Sequence, residues 1–250
     1  MAAIRALLVL IPIMGIGCTL ETNDQPPPKP LAGDAESTDW AVLGNSSDMQ
    51  HHSGLTQINT ETVSDLGLAW AVDLPTRDGL VGNPLISNGR IFQSGSQSQV
   101  FANDLKTGKL LWTFEPLADR PPNSFLETWL RSLNRGLALY EDLVIVGTSD
   151  CRLVAIDQET GVEQWQVETC DSEQAYMISG APRVGGGKVF IGNSCADMGL
   201  NRGHVDAVDA KTGEHLWRFY TVPGDPKEPQ DSELYEMALK TWGEGWYEST

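Results

Sequence analysis

The chain has 250 residues, a formal net charge of −17 and 40% hydrophobic residues. That length holds one large domain or two small ones, and the apolar content is enough for a packed core, which excludes wholesale disorder. The acidic excess argues against nucleic acid as a partner, because phosphates need a basic face.

The first feature in chain order is a short leader. Arg5 is basic, and Ala6 to Gly17 form an apolar run that contains Pro12. The run is too short for a bilayer span, which takes about 20 residues, so it reads as an export signal. It ends Gly15-Ile16-Gly17-Cys18. A small residue before cysteine fits a bacterial lipoprotein signal, with Cys18 lipidated and the protein tied to a membrane. A cleaved secretory signal is the alternative, and Gly15 departs from the lipoprotein pattern. Residues 19–38 carry Pro26-Pro27-Pro28-Lys29-Pro30 and few apolar side chains, so they read as an extended, solvated tether. The globular part is expected to span residues 39–250.

An internal repeat dominates that part. Residues 102–112, 155–165 and 207–217 share the pattern Ala-x-Asp-x-x-Thr-Gly-x-x-x-Trp, ending at Trp112, Trp165 and Trp217. Trp70 ends a fourth, degenerate copy. Ahead of each full copy lies a short apolar run closed by glycine: Ile91 to Gly95, Leu143 to Gly147 and Val189 to Gly192. Each unit therefore reads as a strand, a turn, a strand ending Ala-x-Asp, a Thr-Gly turn and a strand carrying Trp. A period near 50 residues built from short strands predicts propeller blades, with the Trp filling the seam between neighbours. The third unit has about seven extra residues within Ser194 to Gly203, and insertions of this kind sit in loops, often on a binding face. Past a Pro- and Gly-rich break at 223–230, Ser232 to Thr241 is predicted as a short helix.

Cys151, Cys170 and Cys195 would meet an oxidising compartment in an exported chain. Three is odd, so at most one pair forms among them. The sequence does not choose the pair, and three separate buried thiols are equally compatible with it.

The repeat resembles the tryptophan-docking motif of eight-bladed quinoprotein dehydrogenases, which use pyrroloquinoline quinone (PQQ) and a metal ion. Scaffold propellers of outer-membrane lipoproteins share the repeat. Leu55-Thr56-Gln57-Ile58-Asn59, Leu66-Gly67-Leu68-Ala69-Trp70, Asn134-Arg135-Gly136, Ser179-Gly180-Ala181-Pro182 and residues 217–226 are similar to the PQQ-dependent alcohol dehydrogenases in particular. The resemblance implies an all-β fold, a partial propeller of about four of eight blades, as the N-terminal part of a periplasmic oxidoreductase anchored to the outer membrane. It also implies a small alcohol as substrate and a cytochrome as electron acceptor.

Position by position, Arg135 would pair with a quinone carboxylate. Thr148 and Ser194 would offer hydroxyls to the cofactor, and Cys195 and Ala196 would line it. Asp197 stands where the family has a Glu that binds calcium or a lanthanide, both of which favour oxygen ligands. Two positions depart. Val81 replaces a Glu that touches the quinone, and Trp129-Leu130 replaces an adjacent Cys-Cys pair, with Trp129 able to stack on the quinone instead. The remaining metal ligands and the catalytic Asp are expected beyond residue 250, so the segment alone is expected to be inactive. A non-catalytic PQQ-like scaffold lipoprotein is the alternative reading. Arg135, Thr148, Ser194 and Asp197 could equally serve only inter-blade or turn contacts.

Overall fold

The structure is a computed structural model, and it describes residues 39–117, 128–129, 131–174, 176–194, 202–230 and 232–242. The leader with Cys18, the tether, and Cys195, Ala196 and Asp197 lie outside the described residues.

Among the described residues, twelve strands form three antiparallel four-stranded sheets, each a meander in chain order. The first blade contains β1 (Leu85–Ser87), β2 (Arg90–Ser94), β3 (Val100–Asp104) and β4 (Leu110–Phe114). The second contains β5 (Leu137–Tyr140), β6 (Leu143–Gly147), β7 (Arg152–Asp157) and β8 (Glu163–Glu168). The third contains β9 (Arg183–Gly185), β10 (Lys188–Gly192), β11 (His204–Asp209) and β12 (His215–Tyr220). One helix, α1 (Glu233–Leu239), follows. Each blade thus has one strand more than the repeat revealed. The extra members, β1, β5 and β9, are only three or four residues long, too short for alternation to stand out in sequence.

The middle blade shows why its strands read as unbroken apolar runs. Leu137, Leu139, Val144, Val146, Val154 and Ile156 face the first blade. Ala138, Ile145, Leu153 and Ala155 face the third. Successive side chains alternate between faces, so a sheet covered on both sides must be apolar throughout.

The repeat motif is a seam device. Its Ala and Trp pair across the two outer strands of each blade (Ala102 with Trp112, Ala155 with Trp165, Ala207 with Trp217), and a bulge follows each Ala. The Asp closes the turn. Asp157 Oδ1 accepts from Thr160 N at 2.7 Å and Thr160 Oγ1 at 2.6 Å, and Asp104 and Asp209 do the same with Thr107 and Thr212. The Thr hydroxyl above all holds the Asp104 and Asp157 carboxyls below the usual range, while at Asp209 the Thr212 amide does most. The motif Gly has φ of +71°, +74° and +75° in the three turns, and the Trp ring of the preceding unit lies where its Cβ would be. Such a Cβ would stand 2.5 Å from Trp70 at Gly108, 2.8 Å from Trp112 at Gly161 and 2.8 Å from Trp165 at Gly213. Glycine is required there twice over, for conformation and for room.

A second tie crosses each seam from the position five residues ahead of the turn Asp. Gln99 Nε2 reaches Pro75 O at 3.4 Å, Arg152 Nη2 reaches Pro116 O at 3.0 Å, and His204 Nε2 lies 2.9 Å from Thr169 O. Three different side chains do one job, so no shared letter betrayed it. Arg152 is paired with Asp150 at 2.9 Å. At the third blade, Asp206, only 1% exposed, gathers His215 Nε2 at 2.7 Å, Arg218 Nε at 2.8 Å and His204 Nε2 at 3.3 Å. Burial alone would raise the Asp206 carboxyl, but hydrogen bonds from His204, Arg218 and His215 outweigh it and bring it to about 2. Beside this cluster, Cys151 and Cys170 form a disulfide, which resolves the pairing that the sequence left open.

Candidate functional site

The meander sends every blade's short hairpin and docking turn to one rim of the blades. The loop between its second and third strands and the link to the next blade go to the other rim. This second rim collects the residues of interest. Asn134, Arg135 and Gly136 lead into β5, Ser179 lies in the link before β9, and Ser194 follows β10.

These elements meet in one group. Arg135 N donates to Ser179 O at 3.0 Å, and Arg135 Nη1 donates to Ser179 Oγ at 2.6 Å. The Ser179 and Ser194 hydroxyls share a hydrogen bond of 2.9 Å. Ser194 is held in turn by its own N–H, which donates to Met177 O at 2.7 Å. The guanidinium, the two hydroxyls, Asn193 and Arg183 line a concavity of about 390 Å³. Arg135 is exposed, and no carboxylate of the described residues forms an ion pair with it. Its guanidinium keeps N–H donors beyond the one given to Ser179 Oγ, as a bidentate contact with an anion needs. Arg135 and Ser194, both singled out by the sequence, are therefore brought together.

Other residues lie elsewhere. Thr148 is fully buried, its hydroxyl donates to Asp150 Oδ1 at 2.5 Å and accepts from Arg152 N at 3.1 Å, and it does not line the concavity. Trp129 is 55% exposed and is also outside the lining. Val81 is exposed as well. Ser179, the hydroxyl that joins Arg135 to Ser194, was quoted above only as part of a family-like segment. A serine beside Gly180 in a blade-to-blade link was the available signal. What singles it out is the fold, which carries it over to Arg135, 44 positions earlier.

These residues suit a carboxylate-bearing ligand: a planar cation with free donor capacity, flanked by hydroxyls on a rim concavity. Among the described residues no three His, Cys, Asp or Glu side chains gather as a metal site, and Asp197 lies outside them.

With the blades and this group in view, residues 40–246 match the family described as PQQ: Glucose/ethanol/alcohol dehydrogenase, beta-propeller domain. The chain belongs to this family. Among its relatives, lupanine 17-hydroxylase [cytochrome c] of a Pseudomonas species is 47% identical, over 86% of this chain and 31% of its own length. Quinohemoprotein alcohol dehydrogenase ADH-IIG of Pseudomonas putida is 43% identical, over 85% of this chain and 29% of its own length. The crystal structure of the quinohemoprotein alcohol dehydrogenase from Comamonas testosteroni superposes with a TM-score of 0.76 at 39% identity, covering 85% of this chain and 32% of that one. The chain therefore spans about 30% of the length of the family relatives it matches. The three blades are a partial propeller of this family.

Proposed function

We propose that this chain is part of an exported PQQ-dependent alcohol dehydrogenase and contributes the portion of the cofactor site that grips a quinone carboxylate. One observation carries this reading. The Arg135 guanidinium sits at the blade rim without a carboxylate partner among the described residues, braced by Ser179 beside Ser194. Arg135 would bind the carboxylate through paired N–H donors, and the Ser179 and Ser194 hydroxyls would orient it. PQQ, when bound, supplies the hydride acceptor for alcohol oxidation. Asp197, with Cys195 and Ala196 next to it, would bring an oxygen ligand to calcium or a lanthanide, and Trp129 would cover the quinone face. The substrate is a small alcohol and the electron acceptor a cytochrome, a reading supported by the quinohemoprotein relatives. The protein resides in the periplasm, held to the outer membrane by lipid on Cys18.

The test is a titration of the full chain with PQQ, with and without calcium, following quinone absorbance. Arg135→Ala is expected to weaken binding about tenfold or more, since a hydrogen-bonded charge contributes about 1.5–3 kcal/mol. Equal binding by wild type and R135A overturns the assignment. Labelled palmitate tests the anchor, which is refuted by incorporation that persists in Cys18→Ser.

A further inference from the structure

The anchoring of Arg135 draws on three blades, and most of it runs through its neighbour. Asn134 is 1% exposed. Its Nδ2 donates to Gly147 O at 2.9 Å, at the end of β6, and its Oδ1 accepts from Gly136 N at 3.1 Å. Its main-chain oxygen accepts from Ser94 Oγ, at the end of β2, at 3.3 Å. Gly136 has φ of +133° and bridges Asn83 ahead of β1, and the bond from Gly136 N to Asn134 Oδ1 closes a bend over Arg135. On the other side, Arg135 N is tied to Ser179 O of the link to the third blade. The side chain of Asn134 therefore satisfies an acceptor of the second blade and a donor of the bend at once. An aspartate offers no donor for the first and an alanine neither group.

We infer that Asn134 is the positioning residue for Arg135: it fixes the backbone bend that holds the guanidinium at the rim where the first three blades converge. This rests on the reading of Arg135 as the carboxylate-binding cation and adds a residue that acts only through it. Because long cationic side chains lose several rotatable bonds on binding, a backbone set in advance raises affinity without touching the ligand.

The experiment is a double-mutant cycle on the full chain, using PQQ absorbance to read affinity and thermal unfolding to read folding. Asn134→Ala is expected to weaken PQQ binding about five- to tenfold in protein that remains folded at the assay temperature. Asn134→Ser keeps an acceptor for Gly136 N without burying a charge and supplies a second variant if alanine prevents folding. Its expected loss lies between wild type and N134A. The decisive measurement is the double variant N134A/R135A, or N134S/R135A. A positioning role predicts that it binds no more than about twofold more weakly than R135A alone, because residues in one network are non-additive. Losses that multiply overturn the inference, since Asn134 would then act on the site independently of Arg135. Binding by N134A and N134S equal to wild type, with R135A weakened, overturns it too while leaving the carboxylate site standing. R135A equal to wild type overturns the site and the inference together.

Discussion

The two seams between the three blades are built on one plan and secured in different ways. Between the first and second blades, Trp112 Nε1 donates to Gln158 O at 3.1 Å, just as Trp70 Nε1 donates to Leu105 O at 3.1 Å. Large aliphatic side chains fill the space, with Phe92 and Trp112 packed at a centroid distance of 6.0 Å. Between the second and third blades, Trp165 sits over Gly213 in the same way, but its buried indole N–H finds no acceptor among the described residues. Ala138, Ala155 and Ala210 line this seam beside Ile145, Leu153, Val189 and Val208, and it is crossed by His204 and Arg218, which Asp206 holds against Thr169 O. The second seam thus adds one buried carboxylate shared by three basic side chains, where the first has the single Arg152–Asp150 pair. Polar ties are directional and all-or-none: one missing partner leaves a buried charge exposed to a low-dielectric interior, whereas an apolar seam loses stability in proportion to area.

The largest expected effect tests this contrast directly. Asp206→Ala leaves Arg218, His204 and His215 without their carboxylate and is expected to cost about 3–5 kcal/mol in urea unfolding. Asp150→Ala, in the first seam, is expected to cost less, because Arg152 keeps its bonds to Gln166 Oε1 and Pro116 O. An equal loss at Asp150 would erase the difference between the seams. Next comes the covalent tie. Replacing Cys151 and Cys170 together by serine frees a loop of about 20 residues and is expected to cost about 3 kcal/mol, read from the urea midpoint under non-reducing conditions.

Acid offers a graded version. The Asp206 carboxyl is lowered from 3.8 to about 2, so the folded state binds its proton less readily than the unfolded chain does. Its stabilisation is complete above about pH 4 and disappears as pH falls through about 2. Thermal unfolding between these limits should show a slope that Asp206→Asn reduces; an unchanged slope would place the acid sensitivity elsewhere. The smallest effect is the sharpest. Trp112→Phe removes an indole hydrogen bond and leaves Gln158 O unpaired, an expected cost of about 1 kcal/mol beyond the lost ring area. Trp165→Phe removes no hydrogen bond, so its cost should be lower by about that amount. Identical losses in the two variants would show that the indole N–H contributes nothing to either seam.

Legibility followed the same division. The docking turns were readable because every blade solves them with the same letters, Asp, Thr, Gly and Trp, under the same local constraint. The second tie was not, because Gln99, Arg152 and His204 share only a position. At the candidate site, Asn134, Arg135 and Ser179 all stood in segments whose pattern could be matched, but Ser179 and Asn134 owe their importance to neighbours more than ten positions away. Thr148 illustrates the reverse: a hydroxyl in a suitable motif position is absorbed by the local turn with Asp150 and Arg152.

By itself, the sequence determined the all-β blade repeat, its period and the identity of the seam residues, because turns and docking tryptophans are satisfied within one unit and its immediate neighbour. Only the tertiary structure decided which cysteines pair, which hydroxyl braces Arg135 and how Asp206 is compensated. These depend on distances between segments that the packing of neighbouring blades, and not the local chain, brings together.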